Sequence, residues 1–139
     1  FVSLVVLFVD TETGQVEYVN AGHLPMLHKS KNQAFHGVDA SRGLIAGVLE
    51  EHEYASANLS LQRGDEILLF TDGVTEARDK HQQFYNLKGL HENLATAPNV
   101  SAAERTQLIF DGLKTFTEGA TQSDDITVVA INFKAGETT

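Results

Sequence analysis

The sequence contains no cysteine among its 139 residues. It can therefore form no disulfide, no thiolate metal site and no cysteine nucleophile. No apolar run reaches the about 20 residues that a membrane-spanning helix needs, so we expect a cytoplasmic chain without a membrane partner. Basic residues are few, with 10 Lys and Arg against 19 Asp and Glu and a formal net charge of -9. A nucleic-acid partner would require a basic face, and this balance argues against one.

The composition otherwise suits one folded domain. A hydrophobic content of 42% is ordinary for a globular protein, and the length is sufficient for a single core. The last residues, 135–139, are interpreted as a polar tail, so the predicted domain is 1–134. Because the apolar run at 1–9 starts with the first residue, we expect the chain to be a segment of a longer protein.

Short apolar stretches separated by turn residues predict a series of strands. The predicted strands are 1–9, 15–20, 26–28, 34–36, 55–61, 67–70 and 126–133, with an irregular loop over 38–48. Leucines at 87, 90 and 94 predict a helix after an Asn86 cap, and a capping box at 101–104 opens a second helix that ends near Gly119. Antiparallel strands followed by helices predict an α+β fold, an antiparallel β-sandwich flanked by helices.

Two predicted strands carry carboxylates at one end. The apolar run at 67–70, predicted to be buried on both faces, is followed by Asp72. The run at 126–131 is preceded by Asp124 and Asp125. Carboxylates beside a buried strand are costly unless something neutralises them, and Mn²⁺ or Mg²⁺ prefers such oxygen ligands. The pattern therefore predicts a metal site, although a turn and a solvated loop would also produce each half of it.

The surroundings of these acids resemble a family. T-D-G-V-T-E-A-R at 71–78, S-D-D-I-T-V-V at 123–129, N-A-G-H-L-P at 20–25 and, more loosely, G-L-I-A-G-V at 43–48 follow in the family's order. They are similar to the metal-dependent PPM-type (protein phosphatase 2C-like) serine/threonine phosphatases, in the bacterial SpoIIE/RsbU-like branch. The resemblance implies the PPM fold and covers roughly the C-terminal two-thirds of that domain.

By this resemblance, Asp72 and Asp124 fall on the family's metal-binding aspartates and would act through metal-bound water. Asp125 occupies a neighbouring position and is expected to be a weaker or indirect ligand. The implied substrate is phosphoserine or phosphothreonine on a regulatory protein, in relatives commonly an anti-sigma-factor antagonist. The implied setting is bacterial signalling or sigma-factor control, with a fused sensor or receiver domain upstream. Members also carry an upstream G-D-x-x-G-H-G motif whose Asp bridges two metals, and this sequence lacks it. We therefore expect the isolated chain to be inactive.

Other polar residues near these motifs have more ordinary interpretations. His23 is predicted to be a loop histidine bonded to the backbone rather than a ligand. Glu76 would contact the metal or place a charge at a helix start. Arg78 would meet a phosphate or, as we favour, pair with Glu76 or Asp79. The remaining histidines lack metal-ligand spacing and are predicted at the surface: His28, His36, His52, His81 and His91.

Three classes of function stay open: a phosphatase in the complete domain, a catalytically incomplete phosphatase-like module that binds a signalling partner, and an unrelated domain stabilised by a cation.

The strand at 1–9 has few polar positions and is expected to be buried on both faces in the complete domain. Its exposure would favour a homodimer through the sheet.

Overall fold

A computed structural model describes residues 1–122 and 124–134. Within these residues the chain forms two four-stranded sheets and three helices. No helix in this part of the chain is long and apolar enough to cross a membrane. In chain order the elements are β1 (Leu4–Val9), β2 (Gln15–Ala21), β3 (Met26–Lys29), β4 (His36–Val38), β5 (Arg42–Gly43), β6 (Ala57–Ser60), β7 (Glu66–Phe70), α1 (Asp72–Thr75), α2 (Asn86–Ala95), α3 (Ala102–Phe116) and β8 (Val128–Asn132).

The two sheets are mostly antiparallel. In the first, β2 pairs with β1 along one side and with β6 along the other, and the short β5 runs parallel to the end of β2. In the second, the order is β4-β3-β7-β8 and every pairing is antiparallel. The predicted α+β sandwich is confirmed. The predicted loop over 38–48 contains β5, a two-residue strand too short to leave a periodic signal.

The continuous apolar run of β7 reflects burial on both faces, as predicted. Ile67 lies between the two sheets, in a core with Val16 and Met26. Its neighbour Leu68 points the other way, into a second core formed with the helices, as does Phe70. Because successive strand residues alternate between faces, a strand placed between a sheet and a helical layer must be apolar throughout.

The two longer helices, α2 and α3, begin at residues whose side chains accept hydrogen bonds from backbone N–H groups. Ser101 Oγ accepts a hydrogen bond from the Glu104 backbone N–H at 3.2 Å, and the Glu104 carboxylate accepts from the Ser101 N–H at 2.8 Å. This is the predicted capping box. Asn86 has φ of 54° and its side-chain oxygen accepts from the N–H of Lys88 at 2.8 Å, so it performs the predicted capping role. The leucine spacing correctly predicted α2, in which Leu90 and Leu94 are buried and Leu87 is 47% exposed.

The outer face of β1 is uncovered. Leu7 and Val9 pack against the core between the sheets, whereas Val6 is 41% and Phe8 70% exposed. The helical core is built on the second sheet, and within the described residues no helix covers this face of the first. Exposed apolar surface on this strand is what we expect of the chain by itself, and burial on both faces in the complete domain stays a prediction.

A buried charge cluster joins β7 to α3. Arg105 is fully buried and donates to both carboxylate oxygens of Glu66, over 2.7 and 3.2 Å. Lys29 Nζ lies 4.0 Å from the same carboxylate, and the Arg105 guanidinium also donates to the carbonyl of Ala97 at 2.8 Å. These bonds compensate for the loss of water around the charges and fix the helical layer to the sheet.

Candidate functional site

The two acidic segments meet at one edge of the second sheet. β7 and β8 are antiparallel, and Phe70 is the partner of Val128 in the final pair of their register. The residues that follow β7 and those that precede β8 must therefore lie side by side. Asp72 comes two residues after this pair on one strand, and Asp125 comes three residues before it on the other.

Thr71 holds the two segments together. Its backbone N–H donates to the carbonyl of Thr127 at 3.1 Å, which extends the ladder by one bond. Its hydroxyl accepts from the Thr127 N–H at 3.0 Å and donates to the carbonyl of Asp125 at 3.3 Å. One side chain thus fixes the path of the chain on both sides of the acids. The sequence motifs did not predict this role of Thr71, although a hydroxyl next to the strand-end aspartate was the available signal.

Gly73 allows the close approach of the two segments. It is buried, and a Cβ atom built on it would lie 2.2 Å from the carbonyl oxygen of Asp125. Real Cβ atoms do not approach an oxygen so closely, so any side chain here would push the segments apart. The need for glycine after Asp72 is steric.

The carboxylates at this edge face solvent. Asp72, Asp124 and Asp125 are all exposed, and none of them forms an ion pair with another described residue. The Asp124 carboxylate accepts from the N–H of Asp125 at 2.8 Å. Their carboxylate oxygens are hard donors of the kind that Mn²⁺ and Mg²⁺ prefer. Yet across residues 1–122 and 124–134, no three His, Cys, Asp or Glu side chains are grouped closely enough to hold a metal ion. The carboxylate oxygens at this edge are therefore suitable ligands for a divalent ion, but fewer than three such side chains are grouped together among the described residues.

Arg78 does not form the predicted ion pair. Its guanidinium lies 4.3 Å from the centroid of the Phe84 ring and donates to the Gln82 side chain at 3.4 Å. Asp79 instead accepts from backbone N–H groups of its own loop. Glu76 follows the last residue of α1, so its interpretation as a helix-start charge is wrong too.

Of the predictions for His23 and His28, the first is confirmed and the second is wrong. His23 Nδ1 lies 2.9 Å from the carbonyl of Leu24, which confirms a loop histidine bonded to the backbone. His28 is wrong as a surface residue, because it is only 5% exposed and its Nε2 lies 3.0 Å from the Asp65 carboxylate. Its burial follows from its place on β3, between β4 and β7, where all four residues are buried.

Comparison with known proteins identifies the family. Residues 1–134 match the family model described as Stage II sporulation protein E (SpoIIE). The chain belongs to the SpoIIE family. This confirms the resemblance drawn from the sequence motifs. The two-sheet fold is similar to that of the solved PP2C phosphatase domain of SpoIIE from Bacillus subtilis, with a TM-score of 0.77 at 22% identity, covering 95% of this chain and 38% of that one.

Individual relatives agree with this assignment. The chain is 30% identical over 131 residues to Protein IcfG of Synechocystis sp., covering 94% of this chain and 20% of that protein. It is 29% identical to Phosphoserine phosphatase RsbU of Bacillus subtilis, covering 96% and 39%. The solved phosphatase domain of SpoIIE from Bacillus subtilis, presoaked with Mn, superposes with a TM-score of 0.72 at 18% identity, covering 99% and 59%. The chain thus spans less than half the length of IcfG and of RsbU.

Proposed function

We propose that this chain contributes to a metal-dependent phosphatase that hydrolyses phosphoserine or phosphothreonine on a regulatory protein in bacterial signalling. The observation that carries the proposal is the Thr71 bridge, because it sets Asp72 beside the segment of Asp124 and Asp125 at one solvent-facing edge. The family match and the name of RsbU, a phosphoserine phosphatase, support the reaction class.

Asp72 and Asp124 are the residues proposed to hold Mn²⁺ or Mg²⁺, with Asp125 contributing more weakly. When bound, such an ion lowers the pKa of a coordinated water and neutralises the charge of the phosphoryl oxygens. The chain itself supplies the placement: β7 and β8 pair side by side, Thr71 bonds to the segment before β8, and Gly73 allows the two segments to approach closely. Exposure of the carboxylates leaves room for a protein-borne phosphate to reach them.

The proposed substrate is a phosphorylated regulatory protein, and a small anti-sigma-factor antagonist is the first one to test. A sensor or receiver domain fused upstream would control the activity, and we propose a cytoplasmic setting. These details extend the family resemblance and the phosphoserine specificity stated in the name of RsbU.

A second candidate is a catalytically incomplete module that binds a signalling partner. The small number of grouped ligands among the described residues favours it. Two carboxylates and water would make a single site of low affinity. We therefore expect the 139-residue chain alone to bind Mn²⁺ weakly and to hydrolyse phosphate esters poorly. Robust Mn²⁺-dependent turnover by this chain would contradict that expectation.

The decisive experiment uses the full-length protein and a phosphoserine peptide. Asp72→Asn should abolish Mn²⁺-dependent phosphate release while the melting temperature and circular dichroism remain unchanged. Asp39→Asn is the matched control, since it removes the same charge from an exposed residue before β5. Near-normal turnover by Asp72→Asn would show that Asp72 is not a ligand. Absence of turnover in the wild-type protein would favour the binding module.

A further inference from the structure

A cleft beside the acidic edge contains two cations that the proposed chemistry has not used. It has a volume of about 280 Å³ and lies between α1, α3 and the segment before β8. Arg78 and Lys114 line it together with Thr121 and Asp124. A neighbouring cavity of about 330 Å³ shares Arg78, Thr121 and Asp124. Arg78 therefore lines both the cleft and the neighbouring cavity, and Asp124 lines both as well.

Three other cations of the chain lie beside a carboxylate. Lys29 and Arg105 are buried against Glu66, and Lys88 pairs with Glu92 on α2. Arg78 and Lys114 are exposed and make no ion pair within residues 1–122 and 124–134. They are also the two cations that line the cavities containing Asp124.

The guanidinium of Arg78 is held in position for an anion. Its carbon atom lies 4.3 Å from the centroid of the Phe84 ring, so one flat face is occupied by the aromatic side chain. The contact with Gln82 is a long one, at 3.4 Å, and involves one nitrogen only. Because arginine has five N–H donors in a planar fork, the remaining edge stays available for a bidentate acceptor.

The electrostatics of the surface favour such a site. A phosphoserine side chain carries about -1.5 to -2 charge at neutral pH, and it must approach three exposed carboxylates on a chain of net charge -9. Two cations and the hydroxyl of Thr121 offset that repulsion beside Asp124. A planar arginine matches phosphoryl oxygens better than a lysine does.

We propose that this cleft is a phosphate-binding subsite in which Arg78 and Lys114 hold the phosphoryl group of the substrate. The inference rests on the proposed function, since it names the residues that would bring the phosphate to Asp72 and Asp124. Arg78 binds through the edge of its guanidinium, Lys114 contributes a second positive charge, and neither takes part in proton transfer.

Inorganic phosphate is the probe for the first test, with the full-length protein in the absence of divalent metal. Binding is measured by isothermal titration calorimetry for the wild type, Arg78→Gln, Lys114→Gln and the control Arg63→Gln. Arg63 is an exposed arginine before the opposite end of β7, so its replacement removes the same charge away from the cleft. We expect roughly tenfold weaker binding for each cleft variant and a change below about twofold for the control. No binding by the wild type, or equal losses in all three variants, would overturn the subsite.

A kinetic test separates this proposal from the proposed function. Arg78→Gln should raise KM for a phosphoserine peptide while kcat changes little, whereas Asp72→Asn should abolish kcat. If phosphate binding depends on Arg78 but the protein shows no turnover, the phosphate-binding subsite is supported and the phosphatase activity is contradicted. If the protein shows turnover and neither Arg78→Gln nor Lys114→Gln changes KM, the phosphatase activity is supported and the subsite is contradicted.

Discussion

The side-chain hydroxyl of Thr71 donates a hydrogen bond to the backbone carbonyl of Asp125 over 3.3 Å. The same hydroxyl accepts from the Thr127 N–H, so it joins the end of β7 to the segment before β8. This bond continues the sheet past its last regular pair. It couples the position of Asp72 to that of the downstream acids.

Replacing Thr71 by valine should loosen this coupling without changing the volume of the side chain. Loss of the two hydroxyl bonds is expected to reduce the free energy of unfolding by about 1 kcal/mol. It should also weaken Mn²⁺ binding, because the acidic segments are no longer held together. Thr71→Ser keeps the hydroxyl and is the control. Urea denaturation and calorimetric Mn²⁺ titration are the measurements, and equal Mn²⁺ affinities for the valine and serine variants would contradict the coupling.

Gly73→Ala tests the steric contact at the same edge. The new Cβ would lie 2.2 Å from the Asp125 oxygen, so the backbone must move and stability should fall by about 1–3 kcal/mol. Gly37→Ala is the control, since the nearest atom to its Cβ would be 4.0 Å away. That variant should be neutral or more stable by up to about 1 kcal/mol. Equal melting temperatures for the two alanine variants would argue against a close contact.

The local signals in the sequence predicted the fold well. The buried run of β7, the capping box at Ser101 and the acids at two strand ends are patterns within a few residues, set by alternation and helix-end chemistry. Strand pairing brings Asp72 and Asp125 to one edge of the second sheet. Whether these side chains share an ion stays a prediction.

The sequence could not reveal features that depend on distant partners. Arg105 and Glu66 are 39 residues apart, and nothing in their neighbours marks them as a buried pair. His28 was predicted at the surface because its partner, Asp65, is 37 residues away in the sequence. Lys114 belongs to a helix whose apolar stripe dominated its interpretation, so its place in the cleft with Asp124 emerged only from the packing of α3.

Arg105→Met should be among the most destabilising changes in the chain. It would leave the Glu66 carboxylate in the core with only Lys29 nearby, at 4.0 Å, and the expected loss is about 3–5 kcal/mol. Adding both Glu66→Leu and Lys29→Met to Arg105→Met should restore part of the stability, because no member of the buried cluster then carries a charge without a partner. Chemical denaturation measures both variants. A loss below about 1 kcal/mol in the single variant would show that the pair is dispensable.

The capping box at Ser101 predicts a specific pH dependence. The pKa of Glu104 lies below its ordinary value of 4.5, because the Ser101 backbone N–H and then its hydroxyl donate to the carboxylate. Since the folded pKa is lowered, the stabilisation is present above pH 4.5 and is lost as pH falls through the folded pKa. The stability difference between wild type and Glu104→Gln should shrink over that window. Ser101→Ala, which removes the hydroxyl donor, should weaken the dependence, whereas a difference that stays constant with pH would contradict it.

The uncovered face of β1 predicts self-association of the 139-residue chain. Val6 and Phe8 are exposed on a strand that, within the described residues, pairs along its length only with β2. Such an edge with an apolar face invites pairing with a second copy. We expect a dimer in sedimentation experiments at micromolar concentration, and Phe8→Lys should shift it toward monomer. Leu87→Lys is the control, since Leu87 is an exposed apolar residue on α2 and its replacement should leave the dimer intact. A wild-type monomer with a cooperative melt would contradict the prediction, because the chain would then tolerate this face in water.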